Sequence, residues 1–394
     1  MIRSATAGLL TAVLLAPQPA AAAAGAWKVK LRIPGQVLVS DLVAGSGGSA
    51  WLVGDRTDGR QASYFFDGRR WRSAPLPEGA HVAGLPGMPP SLAASSAGAW
   101  ALSQADYRYE DEPGDAQADP CAADPAAGRR AAADSGIEIK RPAKLLRWKN
   151  GRWVGARTFK DVAVQTIAAR GEEVFAFGLT RAGKSVMLRF SGGRWRTARL
   201  PLHVWEARVT GRNVWVQGFG LKDGSQQVRR FDGVKWHDTR LGRALPADLQ
   251  PTGNRPGRST MVTSMAVSNG GRASVSGYIT RDRLCPGDET EFARAEPFLL
   301  RFKNGTWRKV PLKGMKGLQI NEHVPDGRGG FYAVADTAFG HDGDVSAIMR
   351  GTSGGAWTRE KLPQGRPIGT LTAIPGGGHW AVTLTGGSTL VLRR

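Results

Sequence analysis

Cysteine and acidic residues are both scarce in this chain. Only Cys121 and Cys285 occur among 394 residues, which excludes the paired-cysteine spacing of zinc sites. Asp and Glu together number 33 against 54 Lys and Arg, so the formal net charge is +21. A surplus of this size attracts polyanions; the alternative is that a GC-rich genome makes Arg abundant and that the charge is spread and solvated.

Long apolar runs and recognisable catalytic motifs are also missing. After the first residues, no segment approaches the ~18 apolar residues that a spanning helix needs, so we expect no membrane span. The sequence has no G-x-S-x-G elbow, P-loop, H-E-x-x-H, dinucleotide fingerprint or EF-hand loop. We therefore expect no cofactor and no metal site, and we favour a noncatalytic protein.

The N-terminus is typical of an export signal. Arg3 precedes an apolar run at 5–15, which is too short to span a bilayer, and an Ala-rich stretch follows. We predict a signal peptide at 1–24, cleaved at about 22–26, and a secreted, extracellular protein. A cysteine pair in that oxidising setting usually forms one disulfide, so we predict a Cys121–Cys285 bridge; the alternative is two unpaired thiols.

A Gly-containing turn followed by Trp recurs along the chain and predicts the fold. One copy reads YFFDGRRWRSAPLP at 64–77, and another reads LLRFKNGTWRKVPL at 299–312. The repeated tryptophans are Trp27, Trp71, Trp153, Trp195, Trp236, Trp307 and Trp357. Repeats of 40–50 residues built from short strands indicate a solenoid or a propeller.

Each repeat contains the turn signals of four strands, which is the composition of a propeller blade. An alternating strand such as 51–54 (WLVG) or 215–218 (WVQG) precedes each Gly-Trp hairpin. The last repeat has no Trp strand, whereas Trp27–Pro34 is a Trp strand without a repeat before it. We predict an all-β, seven-bladed propeller over 27–394, closed by Trp27–Pro34 completing the C-terminal blade.

The repeated tryptophans are expected to form the blade cores. Asn150-Gly151 and Asn304-Gly305 supply the positive φ angles of tight hairpins. Such a hairpin places Phe190 opposite Trp195, and equivalent aromatic pairs recur in other blades. Cross-strand aromatic pairs add ~0.2–1 kcal/mol each, so we assign the tryptophans to structure.

The pattern resembles the divergent β-propeller repeats of secreted actinobacterial proteins. The resemblance rests on the aromatic-Ala-Val-Gly strand and the aromatic-Asp-Gly-x-x-Trp hairpin, and it covers nearly all of 27–394. It implies a propeller fold and export. Most members of that group have no assigned activity, so it implies little about chemistry.

Two blades carry insertions, at about 106–141 and 281–296, and each insertion contains one cysteine. Both fall between the second and third strand of a blade, so they emerge on one face. The insertions are rich in Asp and Glu. A disulfide between them would fasten a lid over the channel, and the alternative is that both are disordered surface loops.

The same face is expected to carry the candidate ligand-binding residues, because connections into each innermost strand emerge there. These residues are His81, His203, Trp205, Asp106, Glu110, Asp111, His341 and Asp342. Carboxylates and imidazoles in such loops can bind metals, but no ligand spacing supports a metal site. No catalytic residue can be assigned.

Arginine recurs at one place in the third strand of successive blades. The six positions are Arg147, Arg189, Arg230, Arg301, Arg350 and Arg393. Such a belt could bind a polyanion, or it could pair with carboxylates and lie over aromatic rings; we favour the structural role.

These observations favour a secreted, noncatalytic binding or scaffold propeller. Its expected partner is a polyanionic polymer or glycan of the cell envelope or extracellular space, and we expect a monomer with no specific nucleic-acid partner. The alternative is an extracellular carbohydrate-active enzyme, a glycosidase or lyase, using carboxylates on the insertion-bearing face.

Overall fold

Seven four-stranded antiparallel sheets form a closed ring in the computed structural model. It describes residues 26–82, 91–109, 136–221, 224–248, 258–268, 271–280, 295–337 and 346–394. The innermost strand of each sheet contacts the innermost strands of its two neighbours. The predicted seven-bladed propeller is confirmed.

Thirty strands lie within the described ranges and, apart from the N-terminal β1, follow the blade order along the chain. Blade 1 comprises β2 (Val37–Ala44), β3 (Ala50–Arg56), β4 (Gln61–Phe66) and β5 (Trp71–Ser73). Blade 2 comprises β6 (Leu92–Ser95), β7 (Gly98–Ser103), β10 (Ala143–Lys149) and β11 (Arg152–Phe159), with an inserted hairpin of β8 (Asp106–Tyr109) and β9 (Ile137–Arg141). Blade 3 comprises β12 (Val162–Arg170), β13 (Glu173–Thr180), β14 (Ser185–Ser191) and β15 (Arg194–Arg199).

The remaining blades repeat this arrangement. Blade 4 comprises β16 (Leu202–Thr210), β17 (Asn213–Gly220), β18 (Gln226–Phe231) and β19 (Trp236–Asp238). Blade 5 comprises β20 (Ser259–Ser268), β21 (Arg272–Thr280), β22 (Glu296–Lys303) and β23 (Thr306–Lys309). Blade 6 comprises β24 (Leu318–Pro325), β25 (Phe331–Thr337), β26 (Ser346–Gly351) and β27 (Trp357–Arg359). Blade 7 comprises β28 (Arg366–Ala373), β29 (His379–Thr385), β30 (Ser388–Arg393) and the N-terminal β1 (Lys28–Pro34); the described helices are the short 3-10 turns Ser46–Gly48 and Leu241–Arg243.

The N-terminal strand closes the ring as predicted. Strand β1 pairs antiparallel with β30, from Lys28 opposite Arg393 to Pro34 opposite Ser388. The backbone N–H of Val37, at the start of blade 1, then donates to Thr389 Oγ1 at 2.8 Å. The first and last parts of the chain are therefore joined in one blade, which leaves no open gap between the terminal repeats.

Three of the repeated tryptophans, Trp27, Trp153 and Trp357, are buried in the cores, and the other four are half-buried and pack against the cores. Phe190 stands opposite Trp195, and their ring centroids are 5.4 Å apart. Trp71 packs on Phe66 at 5.4 Å in its own blade and on Trp380 of blade 7 at 5.3 Å. These outer-strand rings therefore hold the sheets together within a blade and between neighbouring blades.

A β-bulge interrupts six of the innermost strands, and a glycine of the neighbouring strand makes room for it in four of them. In blade 4 the register shifts between Val204 and Glu206, opposite Gly218. A Cβ added at Gly218 would lie 1.8 Å from the His203 carbonyl oxygen. Equivalent close approaches occur at Gly54, Gly178 and Gly277. The glycine that ends the motif WVQG is thus required because the backbone of the innermost strand lies against it. The bulge also turns a polar residue of the innermost strand towards the neighbouring blades.

Candidate functional site

The inserted hairpin β8–β9 and the second insertion both lie between the second and third strands of their blades, as predicted. Ile137 and Ile139 of the hairpin pack on Ala163 and Leu179 of blade 3. The hairpin therefore leans on the neighbouring blade. Residues 110–135 and 281–294, which include Cys121, Cys285, Glu110 and Asp111, lie outside the described residues, as do His341 and Asp342.

The predicted histidines of this face have different neighbours. His81 is exposed, with Nε2 3.6 Å from Asp55 Oδ1 and 3.4 Å from Gln61 Nε2. His203 Nε2 lies 2.7 Å from Gln165 Oε1, and the Gln165 amide donates to the hydroxyl of Tyr107 in the inserted hairpin. Burial lowers the pKa of His203, so the ring is neutral near pH 7. His203 thus belongs to a hydrogen-bonded chain that links blades 3 and 4 to the hairpin.

The other two predicted residues do not join that chain. Trp205 is the bulged residue of β16 and is partly exposed, and Asp106 is exposed at the start of β8. Within the described ranges, no group of three or more His, Cys, Asp or Glu side chains has the arrangement of a metal site. No helix of the described part is long and apolar enough to cross a membrane.

Four charged residues that sequence reasoning missed meet where the innermost strands converge. This axial cluster consists of Asp41 in blade 1, Glu206 and Arg208 in blade 4, and Glu322 in blade 6. Arg208 Nε lies 2.7 Å from Glu206 Oε1, and its Nη2 lies 4.0 Å from Glu322 Oε1. Three carboxylates therefore surround one guanidinium.

Each carboxylate of the axial cluster also accepts a backbone N–H from the next blade. Asp41 Oδ2 accepts from Ser91 at 3.0 Å and from Leu92 at 2.8 Å. Glu206 Oε2 accepts from Met265 at 2.9 Å, and Glu322 Oε2 accepts from Leu371 at 2.8 Å. Asp41, Glu206 and Glu322 directly follow the bulges of their strands. The axial cluster therefore ties neighbouring blades together.

Burial dominates the titration of the axial cluster. It raises the pKa of Asp41 and Glu206, and it raises the pKa of Glu322 to about 8. Burial alone would lower the pKa of Arg208, but the three carboxylates outweigh it and raise that pKa. One guanidinium cannot balance three carboxylates, so Glu322 keeps its proton at neutral pH.

The repeated arginines of the third strands have structural roles, as favoured from the sequence. The Arg189 guanidinium lies 5.7 Å from the ring centroids of both Phe175 and Phe231, and it also pairs with Glu173. Arg393 lies 5.3 Å from the ring centroid of Trp380. Arg147, Arg230, Arg301 and Arg350 stack on aromatic rings in the same way. These cations are already engaged within the protein.

A second set of cations lies on the outermost strands of the blades and is exposed to solvent, although Arg157 also stacks on Phe159 and Trp195, and Arg32 donates a hydrogen bond to Gln364. These rim cations are Lys28, Lys30, Arg32, Arg72, Arg152, Arg157, Arg194, Arg196, Arg199, Arg308, Lys309 and Arg359, all of them exposed. Asp238 is the one acidic residue on the same strands. Among the described residues, Arg72 alone of this set has an ion pair, with Asp67. Positive charge is therefore concentrated at the rim, and buried carboxylates lie at the axis.

Charged residues on an edge strand also discourage the pairing of sheets from two molecules. Natural edge strands use Lys in particular for this purpose, so edge protection accounts for part of the basic rim. The whole chain has 54 basic and 33 acidic residues, a far smaller bias than that of the rim.

Comparisons with known proteins identify the fold. No family model matches the sequence, and no match was found among curated proteins. YCF48 from Cyanidioschyzon merolae superposes with a TM-score of 0.50 at 11% identity, covering 94% of this chain and 98% of that one. YCF48 bound to D1 peptide gives 0.50 at 11% identity, covering 94% and 96%. The Cps50 (Swd1) β-propeller domain of Myceliophteria thermophila gives 0.47 at 12%, covering 93% and 99%. At these identities the likeness shows the fold alone, so the chain is established as a β-propeller.

Proposed function

We propose that this chain is a noncatalytic binding propeller that holds an anionic polymer against its rim. The observation that carries the proposal is the set of rim cations, which are exposed, nearly all without an ion pair and accompanied by one acidic residue on their strands. An array of this kind attracts a polyanion over several blades, and each contact releases counterions from the polymer.

The geometry of the axial cluster supports a structural role for its three carboxyl groups. Asp41, Glu206 and Glu322 accept backbone N–H groups, and Glu206 also accepts a hydrogen bond from Arg208. A hydrolytic pair needs one carboxyl to protonate the leaving oxygen and another to attack or activate water. Carboxylates committed to holding blades together suit neither task. A propeller of similar fold, YCF48, has been solved bound to D1 peptide, which shows that this architecture can hold a partner.

The proposed location follows from the N-terminus. We propose that residues 1–24 direct export and that the mature chain acts as a monomer outside the cell. Anionic wall polymers and acidic polysaccharides are the polyanions that an exported propeller would meet, and a basic rim is complementary to both. The alternative of a carbohydrate-active enzyme remains an outcome of the test below.

The test measures binding and product release together. The purified protein is titrated with polygalacturonate, dextran sulfate, poly(glycerol phosphate) and neutral dextran at 50 and 200 mM salt. If about four rim cations contact the chain, affinity falls on the order of 50-fold between the two salts. Neutral dextran is expected not to bind. Released sugar would establish the enzymatic alternative, and salt-independent binding would refute the role of the rim.

A charge-matched pair of variants locates the binding surface. The rim variant replaces five cations on five outermost strands with glutamine: Lys30, Arg152, Arg196, Arg308 and Arg359. The control replaces five exposed cations that lie elsewhere: Lys160, Arg212, Arg243, Lys303 and Lys316. Both lose five charges, so a larger loss of affinity in the rim variant identifies the rim itself. Equal losses would mean that net charge alone attracts the polymer.

A further inference from the structure

A cleft of about 430 Å³ opens between blades 6 and 7, along the segment that connects β27 to β28. Its lining includes Arg359 and Lys361, Gln364 and Gly365 of the segment that leads into β28, and Pro367 of β28 itself. Its volume lies within the range of ~300–1,000 Å³ that small-molecule sites occupy. The cleft therefore accommodates one unit of a polymer.

The charge of this cleft is positive. Glu360 is the one carboxylate among its lining residues, and it forms an ion pair with Arg394 in which both side chains are largely buried. That pair cancels the negative charge. Arg359 and Lys361 are exposed and have no ion pair among the described residues. An anion in the cleft thus meets two cations and no uncompensated carboxylate.

A third cation comes from the other end of the chain. Arg32 of β1 donates from Nη2 to Gln364 Oε1 at 2.8 Å, which holds its guanidinium beside the cleft. An arginine has five N–H donors, so this bond leaves others for a ligand. Arg32 is at this position because β1 completes blade 7. Closure of the ring and assembly of the cleft therefore depend on the same strand.

The rest of the lining suits a carbohydrate. The Gln364 amide can hydrogen-bond with hydroxyl groups, and Leu362 presents a half-buried apolar surface. Saccharide units combine hydroxyl groups with an apolar ring face, and acidic ones add a carboxylate, sulfate or phosphate group. We propose that this cleft binds one acidic sugar unit of the polymer, through Arg32, Arg359 and Lys361. This inference rests on the function proposed above.

The experiment compares short oligomers, which cannot span several blades. Oligogalacturonate and sulfated dextran oligomers of equal length distinguish a carboxylate ligand from a sulfate ligand, and neutral dextran oligomers are the uncharged control. The cleft variant is Arg359→Gln with Lys361→Gln. Its control is Arg308→Gln with Lys309→Gln, which removes two exposed cations from the outer strand of blade 5. Unfolding midpoints check that both variants remain folded.

We expect the cleft variant to bind the preferred acidic oligomer at least ~10-fold more weakly than the blade 5 control, because charge-assisted hydrogen bonds are lost. Equal effects of the two variants would overturn the cleft while leaving binding at the rim intact. Binding of neutral and acidic oligomers with equal affinity would also overturn it. If no long or short anionic polymer binds the unmodified protein, the proposed function itself fails.

Discussion

Replacing Glu322 with glutamine is expected to remove a loss of stability that the native protein shows at alkaline pH. The folded chain raises the pKa of this carboxyl from 4.5 to about 8, with burial as the main cause. A carboxyl group whose pKa is higher in the folded chain than in the unfolded chain stabilises the fold fully at pH values below the unfolded-state pKa. This stabilisation is lost as pH rises through the folded-state pKa. Glutamine keeps the carbonyl that accepts the Leu371 N–H and cannot ionise.

The magnitude follows from the same values. The folded chain retains a proton that the unfolded chain releases, and each pH unit in this interval costs about 1.4 kcal/mol of unfolding free energy. Integration with a folded pKa of about 8 gives a loss of ~1.4 kcal/mol between pH 7 and pH 9. Burial lowers the pKa of His203, His323 and His379, so the stability that they contribute is complete above about pH 6.5. These histidines therefore add no pH dependence between pH 7 and pH 9.

The assay is urea unfolding at constant ionic strength, at half-unit steps from pH 7 to pH 9. The native protein should lose stability across this range, whereas Glu322→Gln should change by less than ~0.5 kcal/mol. Glu78→Gln, at an exposed carboxylate, should follow the native curve. An unchanged pH dependence in Glu322→Gln, or a stability that rises with pH in the native protein, would refute the role assigned to Glu322.

Two further predictions concern the fold. Gly218→Ala should destabilise the protein by at least ~2 kcal/mol, because its Cβ would meet the His203 carbonyl. Gly155→Ala, whose Cβ would have nothing within 4 Å, should change the free energy of unfolding by less than ~0.5 kcal/mol. Similar urea midpoints for the two variants would show that the bulge does not require glycine. A truncated chain that begins at Leu38 should lose cooperative unfolding because blade 7 lacks β1, whereas a chain that begins at Trp27 should keep it. Equal cooperativity would contradict closure of the ring by β1.

The fold could be predicted from the sequence because each blade repeats the same local requirements. The Asn-Gly turn at 150–151 needs positive φ at both residues, and the structure has 50° and 78° there. The tryptophan that follows the turn needs an aromatic partner across the hairpin. The Trp27 strand has no repeat before it and the last repeat has no Trp strand, so the sequence predicted that the two together complete one blade and close the ring. Even blade 5, where β21 has Ala273 near its start instead of an aromatic residue, forms the same sheet.

The axial cluster could not be predicted in the same way, because its members come from three blades and approach one another only after the ring closes. A signal was present: Asp41, Glu206 and Glu322 each follow an aliphatic residue of the innermost strand by two positions. Recognising this signal requires knowing that each strand contains a β-bulge, because the bulge inserts one additional residue before the carboxylate and so changes which side chains share a face. The rim cations could be seen in the sequence as basic residues near the repeated tryptophans. That they are exposed, while the arginines of the third strands stack on aromatic rings, depends on how the blades pack, which the sequence alone does not show.

The salt dependence of polymer binding tests most directly whether the rim is the functional surface. Affinity for the preferred anionic polymer is measured from 50 to 200 mM salt for the native protein, the five-site rim variant and its charge-matched control. We predict a steep decrease for the native protein and the control, and a slope reduced by about 0.7 for each lost contact in the rim variant. Parallel slopes for all three proteins would contradict the account.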